Sequence, residues 1–441
     1  MKIAFISEHA SPAALIGGED AGGQNVYVNE VARELGRLGF QIDIFTRRDT
    51  LRTPEVVSWS SGVRLVNLTA GPARFVPKDD LPPFMPAFRD ALIRFAQRDR
   101  ADYDLIHGNF WMSGWVATEL KRQFGIPAVQ LFHALGTTKR RHQREADTSP
   151  SDRIDVEHGI VHSVDRVIAT CPAERADLMR EYHADPRRIE VIPLGVDPRL
   201  FRPKDRREAR HHLGLGLQED DFVLVYVGRV LPRKDIRNVI VALAHLGRHG
   251  DERFTRVKLL VVGGEGRVPD PDVTPELGEL QRLAEELGVA DRVIFTGERR
   301  QDELRDYYSA GDVMVTTPWY EPFGLTPLEA MACARPVIGA NVGGLAFTIR
   351  HGETGLLVPP RSPEALAAAV HALIDDPDRR AAMGSAGRDR VERDFTWKTV
   401  AERTASLYES VHLSTTHLRT SSFLPGLVER PKQTAAALAS D

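Results

Sequence analysis

The sequence predicts an α/β protein with two doubly wound domains that face each other across a cleft. Short apolar runs alternate with helical patterns along most of the 441 residues, which is typical of βαβ units and parallel sheets. Several runs are apolar on both faces, as expected of strands that helices cover on both sides. A charged segment at residues 202–212 separates two such series. We therefore expect domains at residues 1–200 and 201–395, with the boundary near residues 197–220.

The first domain is expected to contain seven strands, each a short apolar run. They lie at residues 2–7, 41–46, 63–68, 104–107, 128–132, 166–170 and 190–193. Residues 25–38 form an amphipathic helix pattern, because Val28, Val31, Leu35 and Leu38 fall on one helical face. This helix would connect the first two strands as a crossover.

The second domain repeats the strand-helix plan without a detectable sequence repeat. Its strands are expected at residues 222–228, 257–263, 292–297, 312–316, 336–340 and 356–358. A further helix is predicted at residues 396–413. Residues 414–441 are rich in Ser, Thr, Ala and Pro and lack apolar periodicity, so we predict a mobile tail there.

Composition narrows the class of partner and the compartment. A formal net charge of −4 gives no global attraction to nucleic acid. The two cysteines, Cys171 and Cys333, form no CxxC motif, which fits a reducing compartment. Glu8 interrupts the N-terminal apolar run before it could act as a signal peptide, and no apolar stretch reaches the roughly 20 residues that span a bilayer. We expect a cytoplasmic protein with no nucleic-acid partner and no transmembrane segment; peripheral membrane contact and oligomeric state stay open.

A glycine-rich segment at residues 17–25 follows the first strand and opens the first helix. Gly22 and Gly23 would allow the backbone to approach a ligand closely, and the amides at a helix N-terminus favour phosphate. The segment is not a GxGxxG motif, so the standard dinucleotide fingerprint is absent. The alternative is a surface loop without a ligand.

Two cations follow the first strand of the second domain. Arg229 and Lys234 lie just after residues 222–228, hence at a strand's carboxyl end, where both could reach the cleft. Two cations at a diphosphate would stabilise the charge that builds on a leaving group. Arg233, between them, is predicted to point to solvent. The alternative is a solvated basic turn.

Two carboxylates eight positions apart, Glu321 and Glu329, form the most informative segment. Glu321 lies in a loop, and the exposed amides of Phe323, Gly324 and Leu325 would complete a phosphate cradle. The combination suits a sugar and a ribose held on either side of a diphosphate.

Glu329 also has a purely structural explanation. Thr326 could be the N-cap of a helix, Pro327 its first residue and Glu329 the capping-box partner. That explanation leaves Glu321 unaccounted for.

Weaker signals lie at other strand ends. A glycine pair, Gly343 and Gly344, follows a strand and could open a helix toward the same cleft. His133 falls at a strand's carboxyl end before small residues, although a lone histidine is more often structural. His158 and His162 are four apart, but no HExxH motif accompanies them. We expect no metal and no required cofactor.

With these segments in view, the chain resembles the retaining glycosyltransferases of family 4, which have the GT-B fold. The resemblance covers roughly residues 1–410, and residues 20–25 look most like the branch that contains the sucrose synthases, the sucrose-phosphate synthases and the D-inositol-3-phosphate glycosyltransferases. The motifs that carry it are Gly22-Gly23, Arg229 and Lys234, Glu321-x7-Glu329, residues 341–344 and residues 352–358.

The resemblance implies roles for these residues. A nucleotide-diphosphate sugar, with UDP favoured over GDP or ADP, would be the donor substrate. Arg229 and Lys234 would bind its diphosphate with the amide of Gly23, Glu329 its ribose and Glu321 its sugar. His133 would sit by the reacting carbon. The family's C-terminal helix often crosses back to the first domain, and residues 396–413 could do so.

The acceptor is expected to be a sugar, a sugar phosphate or another small or glycan molecule. Asn25, Lys78 and Arg144 are the candidate acceptor-binding residues. The last belongs to a basic run at residues 139–144, which could contact an acidic acceptor or a membrane but is more often a solvated loop. Phe110 and Ala134 offer no help to an acceptor phosphate.

Two other functions compete with a glycosyltransferase. A dinucleotide-dependent oxidoreductase could use two Rossmann-like domains, but the missing GxGxxG motif argues against it. A non-catalytic protein that binds nucleotide sugars could share the same fold.

Overall fold

A computed structural model describes residues 1–14, 22–247 and 252–421 of the chain. Its strands form two separate sheets, each covered by helices on both faces, and this confirms the predicted fold class. The 422–441 part of the predicted tail lies outside the described residues, as do residues 15–21, which include residues 17–21 of the glycine-rich segment. No helix within the described ranges is long and apolar enough to cross a membrane.

The first sheet has eight strands in the order β3-β4-β2-β1-β5-β6-β7-β8. All neighbours are parallel except β3, which pairs antiparallel with β4 at the edge. The strands are β1 Lys2–Ile6, β2 Gln41–Arg47, β3 Val56–Ser60, β4 Val63–Leu68, β5 Leu105–Asn109, β6 Ala128–Leu131, β7 Arg166–Ala169 and β8 Ile189–Val191.

The second sheet has six parallel strands in the order β11-β10-β9-β12-β13-β14. They are β9 Phe222–Val227, β10 Val257–Val262, β11 Val293–Gly297, β12 Val313–Thr316, β13 Val337–Ala340 and β14 Gly355–Val358. In both sheets the strand order reverses beside the first strand, between β1 and β5 and between β9 and β12. Such switch points are where ligands bind in open α/β sheets.

The helices connect these strands, mostly as crossovers between parallel neighbours. They are α1 Gly23–Arg37, α2 Met85–Asp99, α3 Trp111–Phe124, α4 Gly136–Gln143, α5 Arg153–Ser163, α6 Pro172–Glu181, α7 Arg206–Leu213, α8 Ile236–Gly247, α9 Glu252–Thr255, α10 Pro275–Glu286, α11 Leu304–Ala310, α12 Leu325–Ala332, α13 Leu345–Thr348, α14 Pro363–Asp375, α15 Pro377–Asp394 and α16 Trp397–Ser421.

The predicted strands are all present, with ends shifted by at most two residues. Sequence reasoning missed β3, an edge strand of which no residue is fully buried. Its pattern is therefore less apolar than that of the central strands. The two-residue turn that joins it to β4, Ser61-Gly62, is the signal that could have revealed a hairpin.

The last helix returns to the first sheet. α16 packs against α1, and the Tyr408 hydroxyl hydrogen-bonds Nδ1 of the buried His107. At the start of α16, Val196 N donates to Phe395 O (2.8 Å), so the two crossings between the halves lie side by side. The helix continues to Ser421, beyond the predicted end at residue 413, so the first part of the predicted tail is helical.

Candidate active site

The N-termini of α1 and α12 meet across the cleft. α1 follows β1 and α12 follows β12, so each begins at the switch point of its own sheet. A Cβ atom added to Gly23, the first residue of α1, would lie 3.4 Å from Leu325 Cδ1, the first residue of α12. Because the first N–H groups of a helix lack intrahelical partners and carry partial positive charge, the two ends form a site for an anion.

Asn25 fixes the backbone that leads into α1. Its side chain is buried and accepts a hydrogen bond from Gly22 N (2.9 Å), while its Nδ2 donates to Ser11 O (2.9 Å). The amide of Gly22 is thus engaged within the loop. Asn25, predicted to bind an acceptor, holds the glycine turn with both ends of its side chain.

Gly324 starts α12 in a conformation that favours glycine. Its φ is +91°, and an added Cβ would lie 2.8 Å from Leu345 Cδ2. The helix therefore begins at Leu325 with Gly324 as N-cap, and no side chain caps it. The predicted capping box of Thr326 and Glu329 is wrong, because the early start makes Glu329 the fifth residue of the helix and turns it away from the N-terminus.

Glu329 instead lies buried against α11. Its Oε2 accepts a hydrogen bond from the Tyr308 hydroxyl at 2.7 Å, and the side chain is largely inaccessible. Burial raises the pKa of Glu329 to about 7, although the hydrogen bonds from Tyr308 and Gln301 oppose the shift. Near neutral pH the side chain of Glu329 is therefore present both as the carboxylic acid, which can donate a hydrogen bond, and as the carboxylate, which only accepts.

Lys234 and Glu321 form an ion pair between the loops that follow β9 and β12. Their side chains are 17% and 14% exposed, so the pair is largely withdrawn from water. Burial lowers the pKa of Lys234, while the carboxylate of Glu321 opposes that shift. Trp319 N also donates to Arg233 O (3.0 Å), which ties the two loops together through their backbones.

Of the other two cations in the β9–α8 loop, Arg229 is the exposed one. Arg233 is only partly exposed, and its guanidinium lies 5.5 Å from the centroid of the Tyr320 ring. The prediction that Arg233 points to solvent is therefore wrong. A cation–π contact with Tyr320 draws it onto the neighbouring loop, whereas the side chain of Arg229 is exposed to solvent.

The glycine pair after β13 receives the Glu321 loop. Gly344 N donates to Glu321 O (2.9 Å), and a Cβ on Gly344 would lie 2.3 Å from Phe323 Cα. No side chain fits between the two backbones. The pair opens only the short α13, so its main structural effect is to fix Glu321 and Phe323.

His133 lies two residues beyond the end of β6. Its φ is +60°, and its Nε2 lies 3.1 Å from Asn109 Oδ1 at the end of β5. The edge of its ring packs against Tyr27, with centroids 5.1 Å apart. Burial, with the imidazoles of His107 and His9 nearby, holds the pKa of His133 well below its usual value. His133 is therefore a neutral imidazole at physiological pH.

A cavity of about 240 Å³ lies between the halves beside Glu321. On one side its lining comes from α4, α6 and the residues that lead into them after β6 and β7, and on the other from the Glu321 loop and the residues after β13. Arg141, His142, Asp177, Tyr320 and Glu321 give it polar walls. Cys171 Sγ donates to Pro322 O across its margin (3.5 Å).

The remaining predicted acceptor residues, Lys78 and Arg144, are not among the residues that line this cavity. Lys78 belongs to the short 3₁₀ turn Lys78–Asp80, and Arg144 is exposed just after α4. Residues 139–143 of the basic run belong to the helix α4 rather than to a loop, and two of the run's cations are paired, Lys139 with Asp147 (3.0 Å) and Arg141 with Glu181.

Several partners were not predicted from sequence. Asn109 orients His133, and Tyr308 holds Glu329. Asn109 ends a strand beside the first, which is a detectable signal; Tyr308 lies mid-helix and gives none. In the described ranges, no cluster of three or more histidine, cysteine or acidic side chains could hold a metal ion.

Known sequences resemble the chain over nearly its whole length. The family model described as Glycosyltransferase Family 4 matches residues 21–200, and the model described as Glycosyl transferases group 1 matches residues 208–390. The D-inositol 3-phosphate glycosyltransferase 2 of Catenulispora acidiphila is 38% identical over 409 residues, covering 92% of this chain and 94% of that protein. The D-inositol 3-phosphate glycosyltransferase of Corynebacterium glutamicum is 37% identical over 412 residues, covering 92% and 96%.

Solved structures also resemble the chain over nearly its whole length. Sucrose-phosphate synthase from Thermosynechococcus elongatus matches with a TM-score of 0.84 at 37% identity, covering 94% of this chain and 99% of that one. Anabaena HepE in complex with UDP-glucose matches with a TM-score of 0.71 over 93% and 100% of the two chains. Its identity is only 21%, so this likeness concerns the fold alone.

Proposed function

Because the chain belongs to glycosyltransferase family 4 and has the GT-B fold, we propose that it moves a hexosyl unit from a nucleotide-diphosphate sugar to a hydroxyl group, with retention of anomeric configuration. The proposed donor is a UDP-sugar, with GDP- and ADP-sugars as alternatives. The proposed acceptor is a sugar, a sugar phosphate or another small or glycan molecule. Because the chain belongs to this family, a glycosyltransferase is favoured over both alternatives, a dinucleotide-dependent oxidoreductase and a non-catalytic protein that binds nucleotide sugars.

The observation that carries the proposal is the buried Lys234–Glu321 pair beside two facing helix N-termini. A diphosphate placed between Gly23 and Leu325 would meet backbone amides of both halves. Lys234 and the exposed Arg229 would add charge-assisted hydrogen bonds on the side of the second sheet. Donor binding would therefore draw Lys234 from Glu321 to phosphate and free the carboxylate for the sugar hydroxyls.

Glu329 is proposed to bind the ribose. It lies within α12, one helical turn beyond the proposed diphosphate site at Leu325, and is kept in place by Tyr308. A carboxylate accepts hydrogen bonds from two neighbouring hydroxyls, as a ribose presents them. Because the pKa of Glu329 is raised to about 7, the ionised form that accepts both is only partly populated at neutral pH.

Bond cleavage would depend on stabilising the departing diphosphate. The positive groups near Gly23, Leu325, Arg229 and Lys234 would act on charge that grows as the glycosidic bond breaks. The oxygen of the leaving phosphate would take the proton from the acceptor hydroxyl on the same face of the sugar. Glu321 would then hold the sugar rather than attack it, unlike the carboxylate pair of a retaining hydrolase.

His133 is proposed to contact the sugar near the reacting carbon. Asn109 orients its ring, and its lowered pKa keeps it neutral. A neutral imidazole can exchange hydrogen bonds with a sugar hydroxyl without repelling a developing oxocarbenium-like centre.

UDP is favoured for the donor because the HepE structures of the same fold contain UDP, UDP with glucose, and UDP-glucose. The relatives named for D-inositol 3-phosphate suggest a polyol or sugar phosphate as acceptor. Neither choice follows from the geometry of the site.

The test is a panel of UDP-, GDP- and ADP-hexoses, each with and without candidate acceptors. Release of nucleoside diphosphate would support the donor, and the anomeric configuration of the product, read by NMR, would test retention. Lys234→Ala and Arg229→Ala should both lose the activity, while Arg98→Ala, on the exposed surface, should keep it. No binding or turnover with any donor would count against the proposal.

A further inference from the structure

Tyr320, the residue before Glu321, joins the two halves of the molecule. His142 of α4 stacks on its ring, with centroids 4.8 Å apart and 19° between the ring planes. Gln143, the last residue of α4, donates a hydrogen bond to its hydroxyl. From the second half, the Arg233 guanidinium lies 5.5 Å from the same ring. Tyr320 itself is buried among these contacts.

These contacts adjoin the proposed donor-binding residues in sequence. Tyr320 is bonded covalently to Glu321, and Arg233 to Lys234. α4 begins three residues after His133 on the same continuous segment of the first half. A shift of α4 relative to Tyr320 would therefore change the distance between His133 and the Lys234–Glu321 pair.

We propose that Tyr320 is a positioning residue for the transfer reaction, acting through an interdomain latch formed by His142, Gln143, Tyr320 and Arg233. The latch holds the arrangement of the two halves in which Glu321 lines one cavity with Ala134 and Leu135, which follow β6. This inference rests on the proposed function, because positioning has a consequence only where a sugar is transferred.

The surroundings of the latch favour this role over simple core packing. The cavity beside it is lined by His142, Tyr320 and Glu321. Open space rather than packed core thus lies next to the ring, so the latch contacts contribute much of the cohesion of the halves at this point. A ring contact and a hydrogen bond together shift a two-state equilibrium by about tenfold or more.

Loss of the latch should affect nucleotide binding and sugar transfer differently. The side chains proposed to hold the nucleotide, Lys234, Arg229 and Glu329, all belong to the second half, and the first half is proposed to add only the backbone amide of Gly23. Most of the proposed nucleotide contacts therefore do not depend on the latch. Loss of the latch should leave the affinity for free nucleoside diphosphate nearly unchanged. The transfer step, which also needs His133 and Gly23 from the first half, should slow.

The experiment compares Tyr320→Ala, His142→Ala and the double variant with the wild type. Each single variant should lower kcat for sugar transfer about tenfold, with the Kd for UDP changed less than threefold. The double variant should be no worse than the poorer single one, because both remove the same contact. Tyr320→Phe keeps the ring contacts and should recover most of kcat.

The matched control is His371→Ala. His371 lies in α14 and packs on the ring of Phe254, with centroids 4.7 Å apart, inside the second half alone. It removes a similar histidine–aromatic contact without touching the boundary between the halves. Its kcat should equal that of the wild type.

Several results would overturn the latch. One is transfer within twofold of wild type in both single variants; another is losses that simply multiply in the double variant. A weakened UDP affinity equal to the loss in kcat would show general damage instead. His142→Ala, which alters a half-exposed side chain, keeps the test usable should Tyr320→Ala fail to fold.

If the wild type transfers sugar from no donor, the proposed function fails, and the latch is then judged by geometry alone. Fluorescent labels on the two halves would report their separation. Tyr320→Ala and His142→Ala should each lengthen the mean distance relative to His371→Ala. Unchanged distances would reject the latch independently of activity.

Discussion

Lys234 and Glu321 neutralise each other across the loops that follow β9 and β12. Both residues follow strands of the second sheet, β9 and β12, between which the strand order reverses. The pair therefore lies at a switch point, where ligands usually bind in open α/β sheets. A buried charge whose partner is removed is strongly destabilised, because its desolvation is no longer compensated. Lys234 and Glu321, which are proposed to bind the donor, therefore also contribute to the stability of the protein without the donor.

This link predicts that single and double changes behave differently. Lys234→Met should leave Glu321 unpaired and lower stability by about 2 kcal/mol or more. The double change of Lys234→Met with Glu321→Gln should restore most of that stability, since neither buried charge remains. Chemical denaturation of the three proteins tests this.

Activity should not follow stability in the same set. Both variants should lose at least about a hundredfold in kcat/KM for the donor, because removal of one charge-stabilising group typically costs that much. A double variant that regained activity with stability would show that the pair is structural only.

Gly23 offers a test of the proposed phosphate site that spares the fold. An added methyl group would only touch Leu325 Cδ1 at 3.4 Å, an ordinary contact. Gly23→Ala should therefore change the free energy of unfolding by less than about 1 kcal/mol, yet weaken binding of a nucleoside diphosphate about tenfold by obstructing its approach to the backbone. Calorimetric titration measures the loss.

Gly159→Ala is the matched control for that change. Gly159 lies in α5, with nothing within 4 Å of an added Cβ atom. Its nucleotide affinity should equal that of the wild type. Equal affinity in Gly23→Ala would place the phosphates elsewhere.

The raised pKa of Glu329 predicts a pH-dependent effect on stability. The folded pKa is about 7, above the usual value of 4.5. Between these values the native state binds the proton more tightly, so this residue's contribution to stability is complete below pH 4.5 and is lost as the pH rises through 7. Glu329→Gln remains neutral at every pH. Its free energy of unfolding should therefore rise relative to that of the wild type by about 1–3 kcal/mol at pH 8.

The comparison is made as a difference between the two proteins, because every other titratable group is then common to both. Urea denaturation of both proteins at pH 5 and pH 8 provides it. A gap that does not widen with pH would contradict the raised pKa. Loss of donor affinity in Glu329→Gln at pH 8 would separately support the ribose contact.

Sequence reasoning succeeded where one local pattern determines the structure. The strand 222–228 is apolar throughout and buried on both faces, so its place in a parallel sheet followed directly. Gly22 and Gly23 predicted a helix N-terminus, and α1 does begin at Gly23 with Gly22 as its N-cap. Arg229 and Lys234 follow β9, as predicted, and Lys234 pairs there with Glu321; their role at the cleft stays a prediction.

It failed where a local rule competed with a distant contact. Thr326, Pro327 and Glu329 satisfy the pattern of a capping box, but Gly324 allows the chain to turn earlier. Glu329 then meets Tyr308, 21 residues before it in the chain. Arg233 was assigned to solvent because nothing in its neighbourhood shows that Tyr320 lies above it. Contacts such as His142 with Tyr320 join residues 178 positions apart by number, and no periodicity reports them.

The crossing between the halves gives a last prediction, at Gly195. An added Cβ there would lie 2.8 Å from Trp397 N and 2.9 Å from the Trp397 ring, and the backbone beside it is tied to Phe395. Neither neighbour is the free end of a flexible side chain, so Gly195→Ala must displace α16. It should lower stability by about 1–3 kcal/mol, as overpacking in a buried region does.

The displacement should also reach the site. The Trp397 ring packs on Tyr27, with centroids 6.3 Å apart, and Tyr27 packs in turn on His133 at 5.1 Å. Gly195→Ala should therefore reduce kcat more than Gly159→Ala does, at a temperature where both proteins are fully folded. Thermal unfolding with a parallel transfer assay measures the two effects. Reduced stability with an unaltered kcat would show that the crossing supports the fold without positioning His133.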